Sequence, residues 1–275
     1  MFQSLRVVAA WFVALSLTLP VSATAAPSTI SQVVMDAGSG AILRSRNPDV
    51  ARAPASLTKM MTLLLAFEAL ERGTLNRRDR IVMTAEGARQ QPSRLGLRRG
   101  GSLLLDDALR AVAVISANDI AVALAGRLAG SEKAFVTRMN ARARAIGMTS
   151  TRFGNATGLS PNGGVTTARD MAVLARYLIR TYPSRYKLFS TRSIRSDGAV
   201  RPNHNKLLGR VQGLDGIKTG YTVQAGFNLA ASARRQGKRT IVVVMGSPSA
   251  SERDVMVANL MEVGFATGRL NRSKR

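Results

Sequence analysis

The sequence predicts an α+β protein: strand-forming segments from both ends of the chain combine into one sheet, and a long helix-rich stretch lies between them. Three observations predict it. Residues 29–35 and 41–46, joined by Asp36-Ala37-Gly38-Ser39-Gly40, read as a hairpin. Helical patterns dominate residues 56–182, interrupted by Gly- and Pro-containing loops near Pro92, Gly100 and Pro161. Strand signals return over residues 214–247, with Gly237 marking a turn before Thr240-Ile241-Val242-Val243-Val244-Met245, and a last amphipathic helix covers residues 252–266. No internal repeat divides the chain.

Taken in order, residues 1–25 carry one positive charge, Arg6, then an apolar run over 7–19 and the small-residue site Ala23-Thr24-Ala25. That pattern is a secretory signal. The run is too short for a membrane span, which needs roughly 20 residues, and no later segment is long and apolar enough either. Pro54-Ala55 precede Ser56, and residues 58–70 form an apolar-rich helix, so Ser56 is expected in its first turn. A second helix is expected over 103–114, with Asp106 as N-cap, and a third over 120–128. Ser116 and Asn118 then fall at a helix–helix junction. Residues 214–222 read as a strand carrying Lys218-Thr219-Gly220, and 269–275 as a basic tail.

Three short motifs therefore occur in order: Ser56-Leu57-Thr58-Lys59, Ser116-Ala117-Asn118 and Lys218-Thr219-Gly220. Each alone is weak, since a serine three residues from a lysine is common, Ser and Asn favour turns, and a strand lysine is ordinarily a surface group. Together they suit acyl transfer through a serine. Residues i and i+3 of a helix share a face, which lets the Lys59 amine reach the Ser56 hydroxyl. A hydroxyl is a poor nucleophile until a base takes its proton, and lysine is such a base only when burial or nearby positive charge lowers its pKa. Only seven of the 40 basic residues are lysine, yet two of them stand in these motifs. Arginine stays charged and cannot serve as the base. Gly220 is expected to let a substrate backbone approach closely.

Other chemistries are poorly supported. The chain has no cysteine, which excludes a thiol nucleophile or a thiolate zinc site. The single histidine, His204, lies in a polar loop, and there is no Gly-x-Ser-x-Gly elbow for a Ser-His-Asp enzyme. One histidine and no dense acidic cluster argue against a catalytic metal, and no cofactor is expected.

The ordered trio resembles the low-molecular-mass penicillin-binding proteins that act as serine-type D-alanyl-D-alanine carboxypeptidases, with Ala117 where the pattern commonly has Asp. The resemblance runs over about residues 30–268. It includes Phe153-Gly154-Asn155-Ala156-Thr157-Gly158-Leu159, Thr167-Ala168-Arg169-Asp170-Met171-Ala172, Asp215-Gly216-Ile217 and residues 246–253. It implies a single catalytic domain over 26–268, built as an antiparallel sheet flanked by helices, with a mainly helical subdomain of roughly 81–200 facing it. Ser56 would be the nucleophile, Lys59 its base, and Ser116 with Asn118 would relay protons and hold the substrate amide. Lys218 and Thr219, with Arg253, would bind a terminal carboxylate. The backbone N–H groups of Ser56 and Tyr221, next to Gly220, would form the oxyanion hole. The implied partners are peptidoglycan stem peptides ending in D-Ala-D-Ala, with β-lactams as covalent inhibitors. Class A β-lactamases share fold and motifs but add a glutamate that activates the deacylating water. Here residues 133–251 contain no glutamate, only Asp170, Asp197 and Asp215. Slow trapping by penicillin is the expectation.

A net charge of +24 would suit a nucleic-acid binder. The arginines are scattered, however, no nucleic-acid signature occurs, and export places the protein elsewhere. Attraction to the anionic cell envelope fits better, through candidates such as Arg98 and Arg99, Arg142 and Arg144, and the tail. With no room after Gly268 for a β-rich domain or membrane anchor, the reading is an exported enzyme, free or held electrostatically at the wall. A D,D-endopeptidase cutting cross-links, and a non-enzymatic envelope- or nucleic-acid-binding module, are the alternatives.

Overall fold

Two strands from the N-terminal end and three from the C-terminal end form one antiparallel sheet in the order β2-β1-β11-β10-β9. The structure, a computed structural model, describes residues 30–159, 162–196 and 198–270. The signal segment over 1–25 and residues 271–275 of the basic tail lie outside the described residues.

The strands are β1 (Ser31–Asp36), β2 (Ile42–Arg46), β9 (Leu214–Thr222), β10 (Gly226–Arg235) and β11 (Lys238–Ser247). Central strand β11 is buried continuously from Thr240 to Ser247 because helices cover both of its faces. Alternate side chains of a strand point to opposite faces. Val33, Met35, Ile241, Val243 and Met245 accordingly enter the larger core, with the helices inserted between β2 and β9. Val34, Val242 and Val244 enter a smaller core beneath α8 (Ala250–Leu270), beside Val257, Met261 and Phe265. The last helix thus runs beyond the expected residue 266.

Between the two halves of the sheet, α1 (Lys59–Glu71) is buried from Lys59 through Ala69, on all sides. A helix apolar all round belongs in a core, and α1 is the axis on which the others pack. A 3-10 turn (Ala55–Thr58) precedes it, so Ser56 lies in that turn and not in the α-helix proper. Then follow α2 (Ala85–Ala88), α3 (Leu105–Val114), α4 (Asn118–Ala129), α5 (Glu132–Ala145), α6 (Ala168–Thr181) and the short α7 (Pro183–Tyr186).

The expected N-cap of α3 is wrong. Leu104 occupies it, because Ser102–Leu104 (β4) pairs with Arg80–Val82 (β3), and Asp106 falls in the first helical turn, ion-paired with Arg77. Helix α4 begins at Asn118, two residues before its expected start. The sequence pattern also misses two further strand pairs, β5 (Arg152–Phe153) with β6 (Gly164–Val165) and β7 (Ser193–Ser196) with β8 (Ala199–Pro202). They are short, and β7 and β8 are largely exposed, so no apolar alternation announces them.

Gly158 shows how tightly the 155–159 loop sits on the Ser56 turn. Its φ is +80°, and a Cβ would come within 1.8 Å of the Ala55 carbonyl oxygen and 2.5 Å of Thr58 Oγ1. Gly73 also has positive φ, +69°, but opens onto free space. Gly158→Ala is expected to cost on the order of 3 kcal/mol or more, lowering Tm by roughly 6–12 °C. Gly73→Ala should cost only about 1 kcal/mol. Equal Tm losses for the two variants would refute the close approach.

Candidate active site

Ser56 and Lys59 are brought together by the 3-10 turn, in which residues i and i+3 eclipse. Lys59 Nζ lies 2.8 Å from Ser56 Oγ and donates a second bond to the Thr157 carbonyl at 2.8 Å. Ser56 is partly open to solvent, whereas Lys59 is wholly buried. Among the described residues no carboxylate pairs with Lys59. Burial, with the positive charge of Lys218 adding to it, drives the Lys59 pKa well below the usual 10.5. An amine whose pKa is lowered in this way is suited to take a proton from a neighbouring hydroxyl.

Ser116 sits at φ +60° in the turn between α3 and α4, and both helices pack on α1. Ser116 Oγ and Asn118 Oδ1 are buried and lack a hydrogen-bond partner within the protein. Leaving such a group unpaired typically costs about 1–3 kcal/mol, so a pair of them two residues apart marks where a substrate or water completes the set. The rest of Asn118 is fixed: its side-chain amide donates to the Pro92 carbonyl and its backbone N–H to Ser93 O at 2.7 Å. Asp119 secures the same loop by accepting from the backbone of Leu95 (3.0 Å) and Gly96 (2.8 Å).

The third motif lies on edge strand β9, which packs against the Ser56 turn. Gly220 also makes room for a neighbouring segment of the chain. A Cβ there would approach Ser56 N to 3.0 Å and both Leu57 N and Pro54 O to 3.2 Å. The close neighbour is the serine turn itself. Lys218 is buried and donates to Thr219 O at 3.1 Å; burial and then Arg253 lower its pKa to about 7. Thr219 is buried beside it, and Tyr221 is half-exposed, stacked on Phe227 with ring centroids 4.2 Å apart.

Arg253, in the first turn of α8, is only 4% exposed. It donates to Asn228 O at 3.2 Å and to Asp254 at 2.9 Å, close enough to Lys218 to depress its pKa. All nine residues expected from the sequence therefore fall on three neighbouring elements and the start of α8.

His204 is exposed, as expected of a loop residue, but its setting is not bland. The flanking Asn203 and Asn205 are buried; Asn205 donates to Gly216 O at 3.2 Å, and His204 N donates to Val114 O at 3.2 Å. This segment thus ties the Ser116 turn to β9. Desolvation against the protein, then the charges of Lys218, Arg201 and Lys59, push the His204 pKa down to about 4, so the ring is neutral at physiological pH.

Sequence reasoning missed the acceptor for Lys59. The Thr157 carbonyl belongs to a loop folded around Asn155, whose Oδ1 accepts from Thr157 N at 3.1 Å and Gly158 N at 2.6 Å. Nothing in a one-letter code identifies a backbone oxygen as a partner. Glu132 immediately precedes the glutamate-free stretch 133–251, and its carboxylate accepts from Ala156 N at 2.9 Å. Among the described residues no cluster of three His, Asp or Glu could hold a metal.

The antiparallel sheet, the central buried helix and the hydrogen-bonded Ser56–Lys59 pair place this fold beside solved penicillin-binding proteins. A family profile described as D-alanyl-D-alanine carboxypeptidase matches residues 20–249, and the chain belongs to that family. It is 35% identical over 241 residues to a D-alanyl-D-alanine carboxypeptidase of Bacillus subtilis, covering 86% of this chain and 62% of that protein. It is 39% identical over 240 residues to one from Haemophilus influenzae, covering 85% and 61%. The chain thus spans about three fifths of the length of these relatives. Among solved structures, penicillin-binding protein 5 of Haemophilus influenzae superposes with a TM-score of 0.83 at 37% identity, over 88% of this chain and 72% of that one. Penicillin-binding protein D2 of Listeria monocytogenes in its ampicillin-bound form gives 0.78 at 34%, over 86% and 96%.

The coupled cations make a sign prediction. Lys218→Met removes the positive neighbour of Lys59 and should raise the Lys59 pKa; Arg253→Gln should raise that of Lys218 above about 7. NMR titration of isotope-labelled lysine side chains measures both, and unmoved midpoints would contradict the coupling.

Proposed function

We propose that this protein is a penicillin-sensitive D-alanyl-D-alanine carboxypeptidase acting on peptidoglycan stem peptides outside the cytoplasm. The single observation carrying this reading is the buried Lys59 amine 2.8 Å from Ser56 Oγ, its pKa lowered by burial and by Lys218, with Ser116 and Asn118 presenting polar atoms that have no partner within the protein. Export rests on the sequence of residues 1–25, and no described helix is long and apolar enough to cross a membrane.

In the proposed cycle Lys59 takes the Ser56 proton as Oγ attacks the carbonyl of the penultimate D-Ala. Backbone N–H groups of Ser56 and Tyr221 hold the developing oxyanion, each such donor typically contributing a few kcal/mol. Asn118 holds the substrate amide, while Thr219, Lys218 and Arg253 receive the terminal carboxylate. Ser116 passes the proton to the departing amine of the terminal D-Ala as the C–N bond breaks. Water then attacks the acyl-serine with the same groups in reverse order. Penicillin enters the same path, but no glutamate lies between residues 133 and 251, and Glu132 is engaged by the Ala156 backbone. The penicilloyl-enzyme should therefore persist. The net charge of +24 favours the anionic envelope over any specific nucleic acid.

Fluorescent penicillin should label the wild type and leave Ser56→Ala unlabelled, and the wild type should release D-Ala from a pentapeptide. Equal labelling of both proteins would sink the assignment. Release only from a cross-linked dimer would favour the D,D-endopeptidase, and release from neither substrate a non-enzymatic envelope module.

The pH profile of kcat/KM follows from the same groups. Lys59 must be unprotonated, so activity rises through its lowered pKa; Lys218 must be charged, so activity falls above about pH 7. In Lys218→Arg the charge survives to high pH, and the alkaline limb should move up by more than one pH unit. A limb that stays in place would exclude Lys218 as its source.

A further inference from the structure

Asn228 is a polar side chain with no exposed surface in the apolar stretch Leu229-Ala230-Ala231 and its approach on β10. Its carboxamide is committed on both sides. Nδ2 donates to Ala53 O and to Pro54 O, each at 3.2 Å, and Oδ1 accepts from Gly246 N at 2.9 Å. Its backbone carbonyl accepts from Arg253 at 3.2 Å. One residue therefore joins the segment leading into Ser56, the end of β11 and the first turn of α8, across sequence separations of 174, 18 and 25 residues.

The register gives this arrangement its meaning. Asn228 pairs directly with Gly220 across β9 and β10, and residues directly opposite in an antiparallel pair project from the same face. At that level of the sheet, the missing side chain of Gly220 admits the Ser56 turn, whose Ser56 N and Pro54 O would lie 3.0 and 3.2 Å from a Cβ. The carboxamide of Asn228 grips the same turn by its two preceding carbonyls. Ala55, the next residue, is held at φ +48°, a conformation that a side-chain-bearing residue keeps only under outside constraint.

We infer that Asn228 is a positioning residue for acylation of Ser56, fixing the serine turn to β9 so that the Ser56 and Tyr221 N–H groups converge on one oxyanion. This rests on the acyl-serine reading above. Oxyanion donors act over about 2.7–3.1 Å, and a displacement of about 1 Å can cost roughly 10²-fold in rate. Asn228→Ala removes all three side-chain bonds, while Asn228→Ser keeps a small polar group in their place.

Stopped-flow reaction with a fluorescent penicillin separates the non-covalent constant from the first-order acylation rate, each normalised to the folded fraction by circular dichroism. Acylation should slow at least tenfold in Asn228→Ala, and less in Asn228→Ser, with non-covalent affinity changed less than threefold. Val242→Ala, which opens a cavity under α8 on the opposite face, should lower Tm yet leave acylation per folded molecule unchanged. Should Asn228→Ala not fold, Asn228→Ser carries the test, with a slowing of at least threefold expected. Wild-type acylation rates in the folded Asn228 variants, or affinity and rate falling together, would overturn the inference. Failure of the wild type to acylate at all would instead overturn the acyl-serine reading.

Discussion

A lysine amine buried without a carboxylate is the constraint on which this molecule turns. Burying an ammonium costs several kcal/mol even after relaxation, and shedding the proton is the cheaper solution. The protein arranges for that outcome with a succession of cations. Burial and then Arg253 lower the Lys218 pKa to about 7, and burial and then Lys218 lower that of Lys59. Arginine cannot give up its proton, so the charge of Arg253 persists beside Lys218. Lysine, unlike arginine, can be tuned in this way at positions 59 and 218 of a chain with 33 arginines.

Everything around the amine serves to keep water and acids away from it while leaving Ser56 reachable. Helix α1 is surrounded on all sides, which no amphipathic surface helix would be. The 155–159 loop presses a carbonyl onto Nζ, and Gly158 lets it come that close. Gly220 does the same for β9 on the other side of the turn. Two buried oxygens, on Ser116 and Asn118, stay unpaired.

The charge outside the site plays a separate role. Acids are few, and several pair with arginine: Asp215 with Arg239 at 2.7 Å, Glu262 with Arg235 at 2.7 Å and Asp49 with Arg169 at 2.6 Å. The exposed pairs among these contribute about 0–1 kcal/mol each, whereas Asp215 with Arg239 is part-buried. The net charge of +24 favours an approaching anion, over about a Debye length of 10 Å at moderate salt. A carboxylate-bearing substrate approaches such a surface favourably.

Much was legible beforehand, because some constraints are local. The continuous β-branched run Thr240-Ile241-Val242-Val243-Val244-Met245 specifies a strand whatever it pairs with, and an i,i+3 serine and lysine meet in any helical turn. Family resemblance then supplied Ser116, Asn118 and Arg253, whose grouping no spacing implies. Tertiary structure alone decided the rest. The partner of Lys59 is a backbone oxygen 98 residues away, invisible in side-chain chemistry. The start of α3 moved because β3 and β4 claimed its expected first residues. The reason for Gly220, the grip of Asn228 and the cationic surroundings of His204 all depend on which strand lies beside which turn. Local pattern determined the elements and the Ser56–Lys59 pair; only packing across long sequence separations determined burial, and burial is what lowers the Lys59 pKa most.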